Sequence, residues 1–68
     1  MKITIELSRS KETREIHLKK GSTVKEVLKK INIKPDTIIV IRKDEPIPID
    51  EELINGERLK ILEISSSG

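Results

Sequence analysis

The chain has 68 residues, a formal net charge of +2, and neither cysteine nor aromatic residues. This length allows one domain, and the lack of cysteine excludes disulfides and thiolate zinc sites. The small net charge, spread over interspersed acids and bases, argues against nucleic acid as a partner. No apolar run is long enough for a signal peptide or a membrane span, so we expect a cytoplasmic protein that does not contact membranes. The abundance of Lys, Glu and Ile resembles proteins from hot environments.

Two segments near the start alternate apolar and polar residues and are separated by the polar stretch 8–13. Alternation with period two is typical of half-buried strands, and the pair predicts an antiparallel hairpin. His17, the only histidine, falls on the polar face without a partner set for catalysis, which favours a surface role. The predicted inward residues are Ile3, Ile5, Leu7, Ile16 and Leu18.

The period changes after Gly21. Thr23 followed by Glu26 is a capping-box pattern, and it predicts that a helix begins there. Asn32 can close this helix and Pro35 prevents it from resuming. The apolar stripe of the predicted helix consists of Val24, Val27, Leu28 and Ile31.

The segment "TIIVIR", residues 37–42, carries apolar residues on both faces and predicts a central strand. If Ile39 and Ile41 face the helix, their neighbours face outward beside the last strand. A contiguous exposed aliphatic patch is typical of an interface, and the alternative is that neighbouring side chains cover these residues. The predicted partner-binding patch consists of Ile38, Val40, Leu62 and Ile64.

The rest of the chain predicts short elements that end in a strand. Pro48 confines its segment to a sheet edge, Asp50–Leu53 suggests one helical turn with Leu53 inward, and Asn55-Gly56 marks a turn. The first and last strands are expected to pair in parallel in the middle of the sheet. Together the elements predict an α+β fold, with a mixed four- to five-stranded sheet packed on one helix. The domain is expected to span residues 1–64, with a flexible tail at 65–68.

Four segments carry a resemblance to a known family: "MKITIEL", "GSTVKEVLKKI", "TIIVIRKDEPIPIDEEL" and "INGERLKILEISSSG". Their order and the small-residue tail resemble the ubiquitin-like β-grasp sulfur carriers of the ThiS and MoaD type, including the small archaeal modifiers. The resemblance covers the whole chain and implies a β-grasp fold. It also implies a carrier that is not an enzyme, has no catalytic residues and no metal, and binds no cofactor.

The resemblance implies that the functional group is the carboxylate of Gly68. An E1-like adenylyltransferase would activate it with ATP, and the product would become a thiocarboxylate or an amide on a lysine. The partners would be that enzyme and then a sulfur-accepting synthase or a target-protein lysine, with the free carrier a monomer. The threaded tail would be Ser65, Ser66 and Ser67. The family ends in Gly-Gly, whereas this chain ends in Ser67-Gly68.

One alternative keeps the fold but not the carrier chemistry. The tail would then be an ordinary frayed terminus, and the domain would be a β-grasp module that binds protein or RNA. Deletion of Ser67 and Gly68 separates the two hypotheses: it would abolish activation of a carrier and change nothing in a binding module.

Overall fold

The computed structural model describes residues 1–64, which form a five-stranded sheet with one helix on one face. The strand order is β2-β1-β5-β3-β4, in which β1 and β5 are parallel and the other pairs antiparallel. This confirms the predicted mixed β-grasp sheet and the parallel pairing of the chain's first and last strands. The elements are β1 (Lys2–Leu7), β2 (Glu12–His17), α1 (Val24–Lys30), a 3₁₀ turn (Pro35–Thr37), β3 (Ile38–Arg42), β4 (Glu45–Ile47) and β5 (Arg58–Glu63).

The core lies between the sheet and α1 and is entirely aliphatic. Ile3 and Ile5 of β1 and Leu59 and Ile61 of β5 are fully buried, as the alternation of both strands predicts. Because these two strands are central, their inward side chains meet the helix directly. The buried residues are Ile3, Ile5, Leu7, Ile16, Val24, Val27, Leu28, Ile38, Val40, Leu53, Leu59 and Ile61.

Helix α1 begins and ends with local hydrogen bonds that its sequence predicts. The backbone N–H and the hydroxyl of Thr23 donate to Oε1 of Glu26, at 3.4 and 3.0 Å. At the other end Asn32 adopts a left-handed conformation with φ of 60°, and the N–H of Ile33 donates to the carbonyl of Leu28 at 2.9 Å. This is the Schellman arrangement, which satisfies carbonyls that the last turn would leave free. Among residues 1–64, no helix is long and apolar enough to cross a membrane.

The two faces of β3 are the reverse of those predicted. Ile38 and Val40 point into the core and are 8% and 3% exposed, so they do not belong to an outer patch. Val40 pairs with the buried Ile61 of β5, which places both on the helix side of the sheet. An unbroken apolar run shows no alternation that would indicate which of its faces points into the core. The register of β3 against β5 alone determines this.

The predicted helical turn at Asp50–Leu53 is also wrong, although Leu53 is buried as expected. The carbonyl of Glu51 accepts from the N–H of Val24, and the N–H of Leu53 donates to Ser22. Because these backbone groups bond across to the segment that precedes α1, they cannot close a helical turn. The predicted tail at 65–68 lies outside the described residues.

Candidate functional site

The outer face of the sheet carries a patch of four aliphatic residues near the end of β5. Ile39 lies directly opposite Leu62, so their side chains stand next to each other on the face away from α1. Ile39 is 38% exposed and Ile64 is 50% exposed, while the other two are half-buried. We name this the outer patch; its members are Ile39, Ile41, Leu62 and Ile64.

The outer patch retains half of the residues that the sequence predicts for it. Leu62 and Ile64 lie on the outer face as expected, whereas Ile39 and Ile41 occupy the places predicted for Ile38 and Val40. The patch in the structure is therefore displaced by one residue along β3 and still lies on the outer face of the sheet beside β5. A role in binding a partner stays a prediction for these residues.

The end of β5 is tied to the start of β3. The N–H of Ile64 donates to the carbonyl of Thr37 at 2.8 Å. One residue earlier, Glu63 pairs with Arg9 at 3.1 Å, although Arg9 is largely exposed. The chain is therefore fixed beside the outer patch up to the last described residue. The predicted site residues Ser65, Ser66, Ser67 and Gly68 lie outside the described residues and stay predictions.

The charged residues next to the outer patch lie mainly on β5 and β1. Arg58 pairs with Glu6 at 3.0 Å across the two parallel strands. Lys60 lies directly opposite Ile41, and within residues 1–64 it takes part in no salt bridge. The patch therefore has an aliphatic centre with a cationic residue at its border.

A cluster around Arg42 was not predicted from the sequence. Its Nε and Nη2 donate to the two carboxylate oxygens of Glu57 at 2.7 and 3.1 Å. Nη1 donates to Glu51 at 2.8 Å, and Nη2 also reaches the carbonyl of Glu52. The pKa of Arg42 is raised, chiefly by the hydrogen bonds that its guanidinium donates to Glu57 and against the effect of its burial.

The Arg42 cluster holds the loop 51–57 against the end of β3. The Arg42 and Glu57 side chains are only 18% and 12% exposed, so solvent screens their pair less than it screens a surface pair. Glu57 directly precedes β5, and its carboxylate also accepts from the N–H of Ile54. No signal in the sequence indicated this cluster, because Val40, two residues before Arg42, was predicted to face outward and nothing identified the partners of Arg42.

Catalytic and metal-binding arrangements are not found in residues 1–64. No group of three or more His, Cys, Asp or Glu side chains there could hold a metal ion. His17 is exposed on β2 and its side chain makes no hydrogen bond to a described residue.

This sheet, with one helix across it and parallel terminal strands in its middle, defines a ubiquitin-like β-grasp protein. The crystal structure of SAMP1 from Haloferax volcanii superposes with a TM-score of 0.78 over all of both chains, at 18% identity. The N-terminal ubiquitin-like domain of the 4931431F19Rik protein superposes with a TM-score of 0.75 at 16% identity, and covers all of this chain and 78% of that one. At these identities the likeness concerns the fold.

The sequence comparisons identify the family. Residues 1–64 match the family described as small archaeal modifier protein 2, and the chain belongs to that family. A relative from Thermus thermophilus, described as the sulfur carrier protein TtuB, is 27% identical over 57 residues, which cover 84% of this chain and 88% of that protein. The resemblance to ubiquitin-like sulfur carriers is thus confirmed, and these relatives are small carriers or modifiers rather than catalysts.

Proposed function

We propose that this protein is a co-substrate rather than an enzyme, and that its reactive group is the carboxylate of Gly68. Membership of the modifier family over residues 1–64 is the observation that carries the proposal. A relative described as a sulfur carrier supports it. A carrier of this kind needs a stable domain and a reachable acyl group, and it needs no catalytic set of its own.

The proposed chemistry begins with an E1-like adenylyltransferase and ATP. An oxygen of the Gly68 carboxylate attacks the α-phosphorus of ATP and displaces pyrophosphate, which gives an acyl-adenylate. A persulfide sulfur then attacks the acyl carbon and displaces AMP, and a thiol cleaves the resulting S–S bond to release the thiocarboxylate. In the conjugation route, a lysine amine attacks the activated acyl carbon instead and forms an amide.

The tail would be threaded into the activating enzyme. Glycine lacks a Cβ and can lie in a narrow channel, where the phosphate and the nucleophile approach closely. Ser67 adds one CH₂OH group at the position where the family carries glycine. We expect this group to slow the passage of the tail, and Ser65 and Ser66 to form the rest of the threaded segment.

The outer patch would dock the activating enzyme beside the entrance of its channel. Ile64 is both a member of this patch and the last described residue before the tail. A partner that covers Ile39 and Leu62 would therefore receive the tail directly. Burial of these partly exposed aliphatic side chains would supply the free energy of docking.

The proposal is tested by the intact mass of the protein after incubation with ATP, a cognate E1-like enzyme and a sulfur donor. We expect a mass gain equal to the replacement of one oxygen by sulfur, localised to Gly68, together with release of AMP. Deletion of Ser67 and Gly68 should abolish both the mass gain and the release of AMP. The variant Ser67→Gly should show both at a rate at least equal to that of the natural sequence.

The second candidate function is a β-grasp binding module, which the serine at position 67 favours. If the protein is a binding module, we expect neither a thiocarboxylate mass adduct nor AMP release, even with an E1-like enzyme that activates other carrier proteins. If Ser67→Gly restores activation where the natural sequence fails, the serine blocks the channel. If it does not, the chain is not a carrier and the binding module stands.

A further inference from the structure

Strand β2 leaves one line of backbone groups without a partner strand among the described residues. The N-terminus of Met1 and the N–H of Leu18 each donate to the other residue's carbonyl, at 2.9 and 2.8 Å. Hydrogen-bonded and non-bonded pairs alternate along an antiparallel ladder. It follows from the register that Thr13, Glu15 and His17 turn their N–H and C=O groups away from β1, toward the edge of the sheet.

The opposite edge of the sheet is protected in a way that β2 is not. Strand β4 has only three residues, contains Pro46 and is followed by Pro48. Short strands and prolines are devices that prevent another strand from pairing. Strand β2 has six residues and no proline, so each of its outward-turned residues keeps its N–H.

A groove lies beside the second half of β2, where this strand meets α1. It is a shallow depression of about 600 Å³ that is wide open to solvent. Leu18 packs partly against the core and offers the rest of its aliphatic side chain to the groove. The groove is lined by His17, Leu18, Lys19, Ser22, Glu26, Lys29 and Lys30.

The charge of this groove is mostly positive. Within residues 1–64, Lys19, Lys29 and Lys30 take part in no salt bridge. The one acid in the lining, Glu26, accepts the hydrogen bonds of Thr23 and caps α1. The three ammonium groups are therefore available to an acidic ligand.

We propose that the β2 edge and this groove bind an extended peptide segment of a partner protein, in which a few aliphatic residues are followed by acidic residues. The segment adds a sixth strand to the sheet through the backbone of Glu15 and His17. Strand addition supplies affinity through main-chain hydrogen bonds, and alternate side chains supply specificity. One aliphatic side chain contacts Leu18, and the carboxylates approach the lysines of the groove.

This site lies away from the end that would carry the acyl group. His17 pairs with Lys2 at the start of β1, whereas Ile64 follows the end of the parallel strand β5. Strands of this length separate the two ends by roughly 20 Å. The segment can therefore bind while another protein covers the outer patch, and the inference does not depend on the carrier chemistry.

The test uses the full chain, labelled with ¹⁵N, and a synthetic probe. The probe is an acetylated and amidated peptide of four alternating valines and isoleucines followed by four glutamates; its control carries four lysines instead. We expect shifts of backbone amide signals concentrated in residues 13–18 and 26–30, with affinity for the glutamate peptide at least ~10-fold higher than for the lysine peptide. Binding should weaken as salt is added.

Two pairs of variants assign the binding mode. Glu15→Pro removes an outward N–H without breaking the ladder to β1, and it should bind the glutamate peptide at least ~10-fold more weakly than Glu15→Ala. Lys19→Glu should bind it several-fold more weakly than Lys43→Glu, which makes the same charge reversal in the turn before β4. The amide spectrum of each variant reports whether it is folded.

Three results would overturn the proposal. The first is a folded Glu15→Pro that binds as well as Glu15→Ala, because strand addition requires that N–H. The second is peptide-induced shifts confined to the outer patch, or no shifts at all. The third is a concentration-dependent shift of residues 13–17 without peptide, which would make a second copy of this chain the occupant of the edge.

Discussion

At the scale of single residues, Arg42 is the position with the most specific contacts. Its guanidinium uses three nitrogens to contact two carboxylates and one carbonyl. Lysine cannot reproduce this planar fork, so an exchange that keeps the charge still loses the geometry. The cluster joins the end of β3 to the loop that leads into β5, and hence it sets where the central strand begins.

We expect Arg42→Lys to lower the free energy of unfolding by about 1–3 kcal/mol. The Glu57 carboxylate would lose the paired hydrogen bonds of the guanidinium and keep at most one weaker contact with the lysine ammonium group. Urea denaturation measures this loss of stability. The double variant Arg42→Lys/Glu57→Gln should lose less than the sum of the two single variants. Strict additivity would mean that the two side chains do not stabilise each other.

The outer patch is tested by one substitution and a matched control. Ile39→Glu places a charge in the middle of the patch, whereas Ile54→Glu makes the same change at a residue that is 65% exposed elsewhere. We expect Ile39→Glu to lower kcat/KM of adenylation by the E1-like enzyme roughly tenfold, the equivalent of about 1.4 kcal/mol. Ile54→Glu should leave it within a factor of two. Equal effects of the two would exclude a role for the patch.

At the scale of elements, helix α1 shows how local signals can specify both of its ends. It has only seven residues, too few to be stable alone, and it depends on its caps and on the buried Val24, Val27 and Leu28. Lys29 and Lys30 occupy the last turn, where they interact favourably with the helix dipole. The same two lysines line the groove beside β2.

The N-terminal cap makes a prediction about pH. The hydrogen bonds from Thr23 lower the pKa of Glu26 below its ordinary value, mainly that from the hydroxyl. A carboxylate with a lowered folded-state pKa stabilises the protein above its unfolded-state pKa, ~4.3 for glutamate, and this stability is lost as the pH falls through the folded-state value.

Wild type should therefore be more stable than Glu26→Gln at neutral pH, and the difference should shrink in acid. Urea denaturation at a series of pH values measures it. The control is Glu45→Gln, at an exposed residue of β4 whose side chain makes no hydrogen bond within residues 1–64. A Glu26→Gln difference that does not change with pH would contradict the role of the ionised cap.

At the scale of the whole molecule, a small aliphatic core must support five strands. For 68 residues, a typical free energy of unfolding is about 3–10 kcal/mol. Ile61 is fully buried in β5, which pairs with β1 on one side and β3 on the other. The loss of a single large side chain at this point removes much of that margin.

We expect Ile61→Ala to cost about 2–5 kcal/mol and Ile61→Val about 1 kcal/mol, because the first leaves a cavity and the second removes one methylene group. Thermal unfolding followed by circular dichroism measures both. Leu62→Ala, at the half-buried neighbour on the outer face, should cost less than Ile61→Ala. If the two alanine variants are equally destabilised, the core does not lie between α1 and the sheet as described.

Where the chain has a clear period, its sequence alone determined the structure: the alternation of β1 and β5, the capped helix, and hence the β-grasp order. The chemical role of the tail was predicted only through resemblance to a family. Tertiary structure decided the rest. Either face of the apolar strand β3 could have pointed into the core, and the pairing of Val40 with Ile61 decides that the face carrying Val40 does so. The partners of Arg42 lie 9–15 residues away, and the edge of β2 is open only because no other described strand lies beside it. Period is a local property that neighbours in sequence fix, whereas register and side-chain partners depend on contacts between distant segments.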